Sequence, residues 1–148
     1  MYLTRICIST LFKIPQKAHH ALLIVTDLAE RYEADLPLSL EKIARKECLS
    51  QGFLEEIAGQ LSRAGIIRGR RGAGGGYVLA KDPATLTVSD VVTAVAGPIA
   101  PVVCLSDRVS CALTKKCTNR SVWAIIQRQA EDALSRMTIQ DVIKGITT

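Results

Sequence analysis

Between Pro15 and the break at Asp35-Leu-Pro37, apolar Ala21, Leu22, Val25, Leu28 and Ala29 recur at the spacing of a helix with one buried face. Proline is tolerated in the first helical turn, so a first helix begins near Pro15. Ser39 can cap a short second helix over 40–47, with Glu41 in the first turn, where the helix dipole favours an acid. Ser50 can cap a third over 51–64, ended by Gly65. Its apolar stripe is Leu54, Ile57, Ala58 and Leu61, which leaves Gln51, Gly52, Glu55, Gly59 and Ser62 facing outward.

The period then changes. Two short strands, Ile66–Arg70 and Tyr77–Ala80, are joined by Arg70-Arg-Gly-Ala-Gly-Gly-Gly76. Three helices followed by a glycine-tipped hairpin is the element order of a winged helix-turn-helix. The alternative is an ordinary Gly-rich hairpin with a solvated face. A phosphate-binding P-loop is disfavoured, because the segment lacks a Gly-Lys-Ser/Thr ending and runs into a strand rather than a helix.

Further on, Thr87-Val-Ser-Asp90 reads as a capping box opening a fourth helix over about 88–96, which Gly97-Pro98 stops. Residues 98–117 form a loop, long for a compact domain unless functional or tied by metal. A long fifth helix over about 118–136 carries Val122, Trp123, Ile126, Ala130, Ala133, Leu134 and Met137 near one side. That stripe suits a dimer contact; otherwise it covers the chain's own core. Thr138 and Asp141 cap a last short helix. The expected fold is mainly α with a small β wing, a single domain over 1–148. Within it, 13–83 form a DNA-binding part and 84–148 the sensor loop and dimerisation helices.

Composition narrows the partners. A chain of 148 residues is about one domain. Aromatics at only 4% point to a helical core of Leu, Ile, Val and Ala. The net charge of +5 favours anionic partners, nucleic acid first. From Ile57 to Lys81 the chain carries Arg63, Arg68, Arg70, Arg71 and Lys81 and no acid. Residues 6–12 are apolar but short, lead into Lys13 and lack a signal-peptide cleavage site; 1–12 read as a leading extension. No run approaches a membrane-spanning length, so a cytoplasmic protein without a membrane partner is expected.

The chemistry-bearing feature is Cys104, Cys111 and Cys117, spaced Cys-x6-Cys-x5-Cys in the long loop. Thiolate sulfur is the preferred ligand of iron–sulfur clusters, zinc and Cu(I). The gaps are too wide for a zinc knuckle, and an iron–sulfur cluster needs a fourth ligand. A thiol-rich loop without metal is the other reading. In a reducing compartment clustered cysteines more often bind metal or sense redox than staple a fold. Cys48, after the second helix, is expected in the core, apart from the loop. A thiol oxidoreductase is disfavoured, since there is no Cys-x-x-Cys and no Cys/His pairing at a helix start.

Taken in order, these pieces resemble the IscR/NsrR/CymR-type (Rrf family) winged helix-turn-helix transcriptional regulators, over about residues 13–146. The most specific segment is Gly65-Ile-Ile-Arg-Gly-Arg-Arg-Gly-Ala-Gly-Gly-Gly-Tyr-Val-Leu-Ala80, which resembles the family's wing. Asp27-Leu-Ala and Thr138-Ile-Gln-Asp-Val-Ile143 also fit, and three cysteines after the fourth helix mark the cluster-binding subgroup.

The resemblance implies a homodimer paired through the long fifth helices, bound to double-stranded DNA with the third helix in a major groove. Gln51, Gly52, Phe53 and Glu55 then fall where base contacts are made. Glu55 can accept from cytosine N4. Arg71 falls at the position of a wing arginine that enters the minor groove, while Arg68 and Arg70 meet phosphates. For the metal it implies a two-iron or four-iron cluster held by Cys104, Cys111 and Cys117. The first cysteine gap is one residue longer than in close relatives. Where a housekeeping member has a histidine ligand, this chain has Arg120, which cannot ligate iron. His19, at the start of the first helix, aligns with a ligand that other members take from the partner subunit. The implied function is a DNA-binding regulator switched by a cluster that senses nitric oxide, redox or iron status. The alternative is a cluster-free, thiol-based redox regulator of the same family.

Overall fold

The structure, a computed structural model, describes residues 14–106 and 116–145. The expected extension at 1–12 lies outside these residues, as does Cys111. The helices are α1 (Gln16–Ala29), α2 (Leu40–Glu47), α3 (Gln51–Arg63), α4 (Val88–Ala96), α5 (Arg120–Arg136) and α6 (Ile139–Lys144). The hairpin is β1 (Ile67–Arg70) and β2 (Gly76–Leu79), and a 3-10 turn spans Val103–Leu105.

The core forms where the helical stripes meet. From α1 it takes Ala18, Ala21, Ile24, Val25, Leu28 and Ala29, and from α3 Leu54, Ile57, Ala58 and Leu61. Leu22, expected on the inner face of α1, is only half-buried; Ile24 takes the central place. The buried Val, Leu and Ile side chains among them each contribute about 1.5–3 kcal/mol of transfer free energy.

Ser39 caps α2 by accepting from the Lys42 N–H at 3.4 Å, and Ser50 caps α3 by accepting from Phe53 at the same distance. Cys48 ends α2 at φ 54°, a left-handed cap whose N–H returns to the Ala44 carbonyl. This corrects the expectation of a core cysteine. The left-handed cap leaves Cys48 exposed, and the next residue, Leu49, packs on the core instead.

The hairpin pairs antiparallel with Ile67 opposite Leu79 and Arg70 opposite Gly76. A third segment joins it. Leu38 and Tyr77 exchange two backbone hydrogen bonds, of 3.0 and 2.9 Å, which dock the stem of β2 against the lead-in to α2. Gly76 lies directly beneath this contact at φ 154°.

The capping boxes at Thr87/Asp90 and Thr138/Asp141 are both complete, each threonine hydroxyl accepting from the acid's N–H at 3.1 Å. They also face one another. Val88 N–H donates to the Met137 carbonyl at 2.9 Å and Ile139 N–H to the Leu86 carbonyl at 2.8 Å, so α6 is tied to the start of α4. The Thr138 hydroxyl and backbone N–H both donate to Asp141 and hold its carboxyl below the usual carboxylate range. Helix α5 contains no buried residue. Leu134 and Met137, at its C-terminal end, lean on the core, whereas Val122 and Ile125 stand 53% and 59% exposed. Among the described residues no helix is long and apolar enough to cross a membrane.

Candidate nucleic-acid interface and sensor loop

Helix α3 opens directly after its Ser50 cap with Gln51, Gly52 and Glu55 exposed, as the stripe pattern requires. Gln51 Nε2 donates to Glu55 Oε1 at 2.8 Å, so the two expected reading side chains are joined across one helical turn. Gly52 faces open space, with nothing within 4 Å of where a Cβ would stand. Phe53 differs from the other three. It is half-buried against the core, and its ring meets that of His20 edge-on, centroids 5.4 Å apart and planes 83° apart. His20 is in turn fixed by Nδ1 lying 2.8 Å from the Gln16 carbonyl oxygen. A Lys17–Glu56 ion pair adds a second tie between α1 and α3. These contacts tie the start of α3 to α1. Sequence reasoning did not single out His20 for this, since its partner lies more than thirty residues away.

At the wing, Gly72 and Gly74 adopt φ of 108° and 75°, conformations that side chains seldom tolerate, and Gly75 N–H closes the turn on the Gly72 carbonyl at 2.9 Å. Arg68 on β1 and Arg71 beside the tip are exposed, with no hydrogen bond or ion pair among the described residues. Arg70 is engaged differently from what its sequence position suggests. Its Nη2 meets the Asp35 carboxylate, and its Nη1 donates to the Asp35 carbonyl at 3.0 Å. A guanidinium so held has less freedom to meet phosphate than Arg68 or Arg71.

Of the sensor-loop cysteines, Cys104 sits half-buried in the 3-10 turn, which packs against α5, and Cys117 is exposed just before α5; both are free thiols. The Cys117 carbonyl accepts the Arg120 N–H at 3.3 Å. His19 is exposed on α1, its ring centroid 5.2 Å from that of His20. Among the described residues no three His, Cys, Asp or Glu side chains gather into a metal-holding group. The donor chemistry at the two described ends of the loop is nevertheless thiolate, the kind an iron–sulfur cluster takes. Arg120 Nε is buried without a partner among the described residues.

The model of Rrf2, the iron-dependent transcriptional regulators, matches residues 14–145. The chain belongs to the Rrf2 family. It is 33% identical over 130 residues to the transcriptional regulator CymR of Bacillus subtilis, covering 88% of each chain. The solved structure of that CymR, described as the global cysteine regulator of its organism, superposes with a TM-score of 0.73, covering 90% of this chain and 97% of that one. IscR of T. potens superposes with a TM-score of 0.72 at 28% identity, covering 90% and 87%. The oxidized form of Staphylococcus aureus CymR does so at 0.74 and 26% identity, covering 93% and 100%. The winged-helix architecture is thus that of Rrf2 regulators, and the chain is a transcriptional regulator rather than an enzyme.

Proposed function

We propose that this Rrf2 regulator binds double-stranded DNA as a cytoplasmic homodimer and is switched by an iron–sulfur cluster held in its cysteine loop. The observation that carries the DNA reading is the pairing of two exposed polar elements. One is the N-terminal half of α3, with Gln51, Gly52 and Glu55; the other is a glycine-tipped wing whose exposed Arg68 and Arg71 have no partner among the described residues. Glu55 repels phosphate and accepts from a base donor, which makes it a discriminating residue. Arg71 suits a narrow minor groove, and Arg68 supplies phosphate affinity. Phe53, half-buried against the core, also ties the start of α3 to α1 through His20. The exposed Val122 and Ile125 and the absence of buried residues in α5 support its role as the helix that pairs with a second copy.

In this reading Cys104, Cys111 and Cys117 hold the cluster, and His19 of the partner subunit completes it. When bound, the cluster would supply an iron centre able to respond to nitric oxide, redox state or iron supply. Because the turn bearing Cys104 packs on α5, a change in the loop alters how the paired helices hold the two α3 elements. A coupling of about 1–3 kcal/mol is enough for a several-fold to hundred-fold change in DNA affinity.

A thiol switch without metal is favoured by one observation. Cys104 and Cys117 are both at least partly accessible, as thiols open to oxidation must be. That CymR of S. aureus has been solved in an oxidized form fits this second reading. Anaerobic purification separates the two. A coloured protein with matching iron and sulfide supports the cluster, whereas a colourless protein with titratable thiols removes it and leaves the thiol switch.

A further inference from the structure

Arg70 and Gly76 face each other at the last rung of the hairpin, so they are the two residues from which the wing tip springs. Each is anchored outside the hairpin. Gly76 lies beneath the Leu38 carbonyl beside the Leu38–Tyr77 hydrogen bonds, and Arg70 is gripped by Asp35. The two anchors, Asp35 and Leu38, belong to one short segment between α1 and α2. A two-stranded hairpin is marginal alone; Ile67 and Leu79 seat its base in the core, and the 35–38 segment anchors the end from which the tip springs.

We propose that Asp35 is a positioning residue for DNA reading: by holding Arg70 it sets the direction in which the wing presents Arg71. This rests on the DNA-binding function proposed above. Asp35 grips with two different groups, its carboxylate and its own carbonyl, which fix both the place and the plane of the guanidinium. Asp35 adopts φ 49°, a left-handed conformation that suits aspartate or asparagine better than most residues. The backbone there aims both groups at Arg70. Arg71 is the next residue, so a rotation at Arg70 is passed directly to it. The pair is 37% and 56% exposed at its side chains, and exposed ion pairs contribute little to stability. Its consequence is therefore in geometry, and the readout is DNA discrimination rather than melting temperature.

The test uses the full-length protein, a duplex enriched by it from a random-sequence pool, and a scramble of the same composition. Fluorescence anisotropy is measured at several salt concentrations. Asp35→Asn keeps the backbone preference and removes the charge. It is expected to weaken binding to the enriched duplex by about three- to tenfold, as for residues coupled through contact, while binding to the scramble and the salt slope stay as in wild type. Arg71→Ala should then cost much less in the Asp35→Asn background than in wild type. Should Asp35→Asn fail to fold, Arg70→Gln enters the same cycle with the same expectation. The proposal is overturned if Asp35→Asn binds the enriched duplex as wild type does, or if the two costs simply add. It is also overturned if Arg70→Gln lowers the salt slope by about one unit, the mark of a phosphate contact. If wild type itself does not distinguish the two duplexes, the DNA-reading function fails first and this inference with it.

Discussion

Gly76→Ala is the sharpest probe of how the wing is docked. A Cβ at this position would stand 2.5 Å from the Leu38 carbonyl oxygen, 2.6 Å from its carbon and 2.9 Å from the Ser39 nitrogen, all backbone atoms. The φ of 154° is also one that alanine rarely adopts. Backbone held in such a sparsely populated region costs on the order of 1–3 kcal/mol. Relieving the clash means separating Leu38 from Tyr77, whose two hydrogen bonds contribute about 0.5–1.5 kcal/mol each. Stiffening the unfolded chain offsets about 0.4–1 kcal/mol of the loss. The expected net destabilisation is about 2–4 kcal/mol, or a fall in melting temperature of roughly 5–15 °C for a domain of this size. Urea and thermal unfolding followed by circular dichroism measure it, with Gly52→Ala as the control. Gly52 faces open space on a helix, so alanine there should leave stability unchanged or raise it by up to about 1 kcal/mol. A Gly76→Ala protein melting within about 1 °C of wild type would refute the close-approach argument.

Other outcomes follow from the same geometry. Arg71→Ala should weaken specific DNA binding by about 1–3 kcal/mol, whereas Arg68→Ala should weaken specific and scrambled duplexes alike and lower the salt slope by about one unit. Glu55→Ala should keep or raise non-specific affinity while relaxing discrimination at one base pair, since it removes an acid from the reading helix; anisotropy on both duplexes reads all three. Single Cys104→Ala, Cys111→Ala or Cys117→Ala should abolish visible absorption of anaerobically purified protein, while Cys48→Ala, at an exposed helix cap remote in sequence from the loop, should retain it. Equal loss of colour from a folded Cys48→Ala protein would exclude the loop assignment. His19→Ala should leave cluster assembly possible but make the cluster decay faster, and unchanged decay rates would remove His19 from the site.

The Thr138/Asp141 cap gives a pH dependence. Because folding lowers the Asp141 pKa, its contribution is complete above the unfolded carboxylate value and is lost as pH falls through the lower folded value. Stability lost through this cap should therefore appear only at acid pH. Thr138→Ala should remove about 1 kcal/mol near neutrality and reduce that acid-side slope, as measured by urea unfolding from neutral to acid pH. An unchanged slope would argue against the cap.

Much of the fold is written in local periodicity. Helices α2 and α4 occupy the spans that their caps predict, and α3 ends one residue early. Both threonine capping boxes form as their spacing requires, because each is closed by groups three residues apart. The α3 stripe buries the four residues it named, and Gly72, Gly74 and Gly76 of the wing take positive φ. The family was legible for the same reason, since the ordered elements and the wing segment are contiguous in sequence.

The tertiary structure decided what depends on partners far along the chain. Phe53 was expected with Gln51, Gly52 and Glu55 at the base-contacting end of the helix, and only folding showed that α1 brings His20 against its half-buried ring. Arg70 looked like one basic residue among several until folding placed Asp35 beside it. Cys48 looked like a core position, yet the left-handed cap of α2 turned it outward and sent Leu49 in. Helix α5 shows the limit most clearly. Its stripe announced a contact, but only the packed chain reveals that Leu134 and Met137 serve its own core while Val122, and Ile125 outside the stripe, remain uncovered. Helical period tells which residues share a face, and it carries no information about what that face meets.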